Sequence, residues 1–477
     1  LPWSRRAAIE LPLPPDLQSA GSLVAETAHG SLPVQLFGPP GRRRAIVVIE
    51  LPGFGAKKVR LRPGKAFVPA SSAASADHRA IENEFYRIEV APNGTIDVLD
   101  RITGQRWSGA HWFQDEGDRG DEYSFCPVEG DTPFDSRSCE AVVRVKARGP
   151  HVAELEISSK LHLPKKLAAT RRNRIKTKVC IPVKTIVRLI AGVNRIEFTT
   201  TVLNRARDHR LRVFFPSPGS GLTVQAEGHF AVLRRPAQPV WNGQWREPPA
   251  KTHHTLGGVA AGKLALFGIG LPEYEAVPND AGGVDLALTL LRSVGWLGCS
   301  DLSTRPGAQE PHIPTPGAQC LGSHSFSYAV ALRESWAEVD LIRASQDFRF
   351  GFAVGPGIVE PAELLSVEGD GFATSALKGA EDGNGAILRI YNPGAFPTVA
   401  SVHGRGLSFM RCRLDETNTS QDETGVVALR PGEIVTLRVT SKQAAGIRHE
   451  AQGSRTQHSA LNTRDGALNT QGDYNGR

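Results

Sequence analysis

The sequence has little of what long helices, membrane spans and extracellular staples are built from. It holds one Met in 477 residues, and Ala/Leu/Glu/Lys stretches at helical spacing are scarce, so long amphipathic helices are not expected. No apolar run approaches the roughly 20 residues of a spanning helix. The first residues show no charged segment followed by an apolar one. Neither membrane association nor a secretory signal is therefore expected. The six cysteines, Cys126, Cys139, Cys180, Cys299, Cys320 and Cys412, form no CxxC pair and no Cys/His cluster of zinc spacing. That pattern suits free thiols in a reducing compartment, the cytoplasm. Cys126 and Cys139 are close enough in sequence to close a loop, but a bridge between them is not expected. The net charge of +7 is modest for this length. The basic patches at 42–44 and 171–178 lack interleaved aromatics, so nucleic acid is not an expected partner. The second patch, RRNRIKTKV, alternates like a strand with one charged face.

What the chain has in quantity is turns. Forty-nine Gly and 33 Pro interrupt a sequence that is 40% hydrophobic. Apolar runs cut short in this way argue for many short strands, and the expected class is all-β. Residues 1–75 read as an N-terminal β segment, with strands at 34–38 and 45–52, and 69–78 as a small-residue linker. Residues 76–337 read as one large unit of long antiparallel strands. It opens with an Asn93-Gly94 hairpin, and Val193-Asn194 turns the chain within TIVRLIAGVNRIEFTTTVLN. Residues 338–442 read as a smaller β-sandwich of short, evenly spaced strands. From 443 to 477 the composition is polar, and a disordered tail is expected.

The stretch that organises this reading is 111–127, HWFQDEGDRGDEYSFCP. Asp115, Glu116, Asp118, Asp121 and Glu122 fall within eight residues, punctuated by Gly117 and Gly120 and flanked by Trp112, Phe113, Tyr123 and Phe125. Glycines among carboxylates point to a sharply turning loop. Aromatics beside acceptors suit a sugar, whose apolar ring face lies on an aromatic and whose hydroxyls donate to carboxylates. A solvated acidic turn between strands has the same composition.

An ordered series of motifs carries a family resemblance. Glu82-Asn83-Glu84-Phe85-Tyr86, Asn93-Gly94-Thr95, residues 100–104 and GDRGDEYSF (117–125) come first. HRLRVFFPS (209–217), GLPEYEA (270–276) and LALTLLRSVGWL (286–297) follow. DLSTRPG (301–307) and TPGAQCLGSHSFSYA (315–329) complete the series. Over roughly residues 1–440 the chain resembles the β-portion of glycoside hydrolase family 38, the α-mannosidases, with the bacterial members the closer likeness. The resemblance implies a large galactose-mutarotase-like supersandwich with smaller β-sandwich domains. It also implies α-mannoside carbohydrate as substrate.

In that family the aromatic of this loop reaches the mannose, which makes Tyr123 the first candidate. Asp118 and Asp121 are candidates for substrate contact or for shaping the loop through its amides. Arg292 and Arg305 are two candidates for an arginine that reaches toward the sugar or holds Asp118 or Asp121 in place. The family's nucleophilic Asp and its zinc, bound by Asp and His, lie on an N-terminal catalytic barrel. Such a barrel needs about 250 residues, and no counterpart stands in this sequence. Cofactors are thus expected to be none in this chain, with zinc on the barrel, a partner in cis or in trans. Two other readings stay open: a free-standing carbohydrate-binding β-sandwich protein without hydrolase activity, and an aldose-epimerase-like enzyme, for which no acid–base pair presents itself. Trp241 and Trp245 could form a sugar-stacking pair, but a Gly-separated pair of this kind is expected to pack against a sandwich edge. His209 and the pair His253-His254 are expected to be structural.

Overall fold

The protein is described from a computed structural model, which covers residues 1–39, 41–65, 75–217, 223–307, 311–355, 357 and 365–441. The polar segment at 443–477 and most of the 69–78 linker lie outside the described residues.

Alternation of apolar and polar side chains builds two large antiparallel sheets. The first has nine strands, in the order Ala141–Arg148, Val152–Pro164, Lys178–Ile190, Ile196–Asn204, Gly322–Leu332, Leu264–Ile269, Gly258–Ala261, Thr223–Glu227 and Val232–Pro236. The second has six, in the order Phe134–Asp135, Trp112–Gly117, His209–Pro216, Val284–Ser293, Glu273–Pro278 and Thr252–His254. A five-stranded sheet that includes Tyr86–Val90 and Ile96–Asp100 completes the same core. Asn93-Gly94 turns the chain between those two strands. Gly94 sits at φ +87°, and the Asn93 side chain accepts from the Thr95 amide and hydroxyl.

The period of two decides which side chains meet. From the six-stranded sheet Phe113, Leu211, Val213, Phe215, Leu286 and Leu288 enter the core. From the nine-stranded sheet Leu155, Ile157, Val187, Phe198, Tyr328 and Val330 meet them. Burying one such side chain contributes about 1.5–3 kcal/mol, so this one layer outweighs any surface pair. The fold is the all-β supersandwich that the motif series implied, joined by smaller sandwiches. One of these encloses Phe372, Leu388, Ile390, Val402, Val427 and Leu437.

Two expectations need correction. The basic patch is a strand only from Lys178 onward. Residues 170–177 form the turning tip before that strand, because Arg171 and Arg174 leave the sheet to reach carboxylates of other segments. The all-β reading also missed the helix Glu338–Arg349. Its neighbours Leu341 and Ile342 face different partners: Leu341 packs with Ala260, Phe267 and Trp336, and Ile342 with Ala373 and Tyr391. All six cysteines are free thiols.

A polar chain crosses the core. The His111 ring stacks on Phe198 at 4.8 Å, and its Nε2 lies 2.9 Å from the Tyr328 hydroxyl, which meets Thr200. Burial without an ionic partner pushes the His111 imidazole down from its ordinary 6.5 to about 3. Between those two values the unfolded chain binds the proton and the folded protein does not, so stability is lost as the pH falls through this window. The slope from this group is at most about 1.4 kcal/mol per pH unit. Urea denaturation from about pH 6.5 to about pH 4 should show falling stability. A His111→Asn variant, which tolerates the positive φ of 62° at this position, should show a shallower fall. Equal slopes for the two proteins would remove His111 as the cause.

Candidate functional site

The 111–127 stretch is half strand and half loop. Trp112–Gly117 pairs with His209–Pro216, in register from Trp112 opposite Phe214 to Gly117 opposite His209. Its inward row carries Phe113 into the core and with it Asp115, which is fully buried. Arg174 donates to one Asp115 oxygen at 2.6 Å, and His209 Nδ1 lies 2.5 Å from the other. His209 Nε2 faces Asn204 Oδ1 at 3.1 Å. Arg174 also grips Asp131, whose other oxygen accepts the Gly117 amide. On the outer row Glu116 pairs with Arg210 and Arg212, and Glu275 pairs with the same two arginines. Phe125 lies on the Arg210 guanidinium at 3.5 Å, and Trp112 stacks on Phe214 at 4.3 Å. Phe113, Trp112 and Phe125 are thus committed to packing, which leaves Tyr123 as the aromatic of this stretch that faces solvent.

The loop proper starts at Asp118. Its carboxylate accepts the Gly120 and Cys126 amides and pairs with Arg292 at 2.8 Å. Burial pushes this carboxyl above its ordinary range, while Arg292 and the two amides pull it back. Asp121 accepts the amides of Tyr123 and Ser124 on one oxygen and that of Cys299 on the other, which Arg305 also meets at 2.5 Å. The Arg292 guanidinium donates in addition to the Asp121 carbonyl at 3.0 Å. Gly120 is required for closure, because a Cβ there would stand 2.0 Å from the Ser124 carbonyl oxygen. The result is a tight turn at 121–124 that lifts Tyr123 out, 65% exposed, with the Arg305 guanidinium 5.6 Å from its ring.

The structure therefore brings all five expected site residues into one knot, at two levels. Tyr123 is on the surface. Asp118 and Asp121 are buried beneath it with their oxygens occupied; Arg292, within the strand Val284–Ser293, and Arg305, in the segment after it, brace them. Sequence reasoning left aside the tier below, Asp115, Arg174 and Asp131. Its one signal was the basic patch, whose arginines had no assigned partners.

Trp241 and Trp245 do not pack as expected; they are 54% and 63% exposed on the loop between Val232–Pro236 and Thr252–His254. Among the described residues, Cys299, Asp301 and His312 bring one ligand atom each within 4.8 Å of one another. They do not fit a zinc ion. Asp301 is held between Arg119 and Arg171, which together draw its carboxyl down despite partial burial, and burial pushes the Cys299 thiol up. A cation would have to displace two guanidinium groups and deprotonate a disfavoured thiolate.

Residues 81–296 of this β-supersandwich match the model for "Glycosyl hydrolases family 38 C-terminal domain". Among curated relatives, a putative mannosylglycerate hydrolase of Halalkalibacterium halodurans is 28% identical over 395 residues, covering 75% of this chain. Among solved structures, an alpha-mannosidase from Enterococcus faecalis V583 aligns over 92% of this chain with a TM-score of 0.73 at 24% identity. A second protein of glycosyl hydrolase family 38 from Enterococcus faecalis aligns over 92% with a TM-score of 0.69, again at 24% identity. The chain spans 41% of the length of the curated relative and 54% and 56% of the two solved chains.

The geometry makes Asp121 a keystone rather than a free carboxylate. Removing one partner of a buried pair costs about 3–5 kcal/mol. Asp121→Ala should therefore lower stability by about that much. It should also speed hydrogen exchange at the Tyr123, Ser124 and Cys299 amides, while core amides such as that of Phe198 keep their ranking. Unchanged protection at those three amides would show that the turn holds without Asp121.

Proposed function

We propose that the chain is the C-terminal β-portion of an α-mannosidase-like glycoside hydrolase. It contributes sugar-binding residues to a site whose catalytic carboxylates lie on an N-terminal catalytic domain, acting in cis or in trans. Tyr123 is the residue that touches mannose. Its hydroxyl both donates and accepts, and its ring is stiff. Asp118, Asp121, Arg292 and Arg305 position it from beneath. Zinc, where the family uses it, belongs to that other domain and would hold sugar hydroxyls there. The protein works in a reducing cytoplasm, which six free thiols suit.

One observation carries the reading. A single phenol stands exposed on a loop whose other polar groups are nearly all tied down, and the energy invested in burying two aspartates holds that phenol in place. A merely solvated turn needs no such bracing.

Two measurements test this. The purified chain alone should hydrolyse no aryl α-mannoside above the blank, and robust turnover would sink the proposal. With the catalytic domain supplied as a second chain or fused ahead of residue 1, Tyr123→Phe should lower kcat/KM about tenfold to a hundredfold, the worth of one buried hydrogen bond. Its melting temperature should stay that of the parent, because the hydroxyl makes no hydrogen bond among the described residues. A kcat/KM equal to the parent's would take the phenol out of the site.

A further inference from the structure

The loop at 237–251 presents Val240, Trp241 and Trp245 to solvent on a frame that is itself held. Asn242 makes the turn: its Oδ1 accepts the Gln244 amide at 3.1 Å, and its Nδ2 donates to Gln244 Oε1 at 3.0 Å. Gly243 takes the left-handed φ of +77° that the turn requires. Pro239, Pro248 and Pro249 stiffen the two arms. Arg246 then anchors the far arm by donating to the Gly307 carbonyl at 2.9 Å, so close that a Cβ on Gly307 would lie 2.1 Å from the guanidinium. Gly307 is two residues beyond Arg305, which lies over Tyr123. The two exposed indoles are thus tied to the same turn that braces the candidate site.

We propose that Trp241 and Trp245 form a second carbohydrate platform, which takes the sugar adjoining the one at Tyr123 in an α-linked mannose oligosaccharide. The inference rests on the reading of Tyr123 above. The chemistry favours a sugar over a protein surface. The indoles are separated by Asn242, Gly243 and Gln244, so they offer two separate apolar plates flanked by amide donors and acceptors. A pyranose matches this, with one apolar ring face and a rim of hydroxyls.

The test uses the full chain labelled with 5-fluorotryptophan, whose resonances are assigned by single substitution, and titrated with α-linked mannotriose and with mannose. Mannotriose should shift the Trp241 and Trp245 resonances with saturation. Trp241→Ala/Trp245→Ala should weaken its binding about tenfold or more. Both residues are exposed, so the melting temperature should hold. Mannotriose binding that is unchanged in the double variant overturns the platform, as does the absence of any tryptophan shift up to about 10 mM sugar. Tyr123→Ala separates the two readings. If it abolishes mannose binding while the tryptophan pair has no effect, the platform fails and the Tyr123 reading stands. If only the tryptophan pair matters, the indoles bind sugar without a neighbour at Tyr123, which overturns the adjoining placement proposed here together with the Tyr123 reading.

Discussion

The structure around the candidate site depends on buried carboxylates that each have a cation. Asp115, Asp118 and Asp121 lie within seven residues and are all buried, and Arg174, Arg292 and Arg305 reach them from three other places in the chain. An unpaired carboxylate in such surroundings would cost several kcal/mol. The pairing is therefore obligatory, and it fixes the positions of three distant segments at once. Amide donors complete the arrangement: Asp118 and Asp121 between them accept five backbone N–H groups. Sheet hydrogen bonds give the sandwich its shape, but these pairs decide how the loop at its rim is held.

The rest of the site follows from that clamp. With the aspartates below and the arginines braced against them, the turn at 121–124 presents Glu122 and Tyr123, of which Tyr123 is the aromatic. Trp112, Phe113 and Phe125 are already committed to Phe214, the core and Arg210. A cluster that reads in sequence as five acids and four aromatics thus resolves into a scaffold and a single exposed phenol. The family 38 match over 81–296 covers both the loop and Arg292. Arg305, Gly307 and the anchor of Arg246 lie beyond the match or outside the motifs that carry it.

The sheets were legible because alternation is a local property. FYRIEV and RIEFT each state which face is buried without knowing their partners, and Asn93-Gly94 states its turn. The helix at Glu338–Arg349 was harder to see. Its apolar contacts are divided between two neighbours, so no single strong stripe marks it. The loop residues could be listed from sequence but not ranked. Asp118 and Tyr123 look equally available until burial is known, and nothing local says that Arg292 faces Asp118 across 174 residues. The tryptophan pair failed in the opposite sense. Aromatic residues beside glycine usually pack, and only the three-dimensional course of the 237–251 loop left these two outside.

That sequence separation has a consequence in time. Asp118 and Asp121 are joined to arginines 174 and 184 residues further along. At a synthesis rate of about 5–20 residues per second, the loop emerges about ten to forty seconds before its braces exist. During that interval two carboxylates destined for burial remain hydrated, and the Tyr123 turn has no fixed shape. Contacts of such long range close late, after local hairpins have formed. The site thus closes only after Arg305 has been made. A nascent chain that stops short of Arg305 would not hold the phenol in position, and it would also lack Gly322–Leu332, the strand in the middle of the nine-stranded sheet.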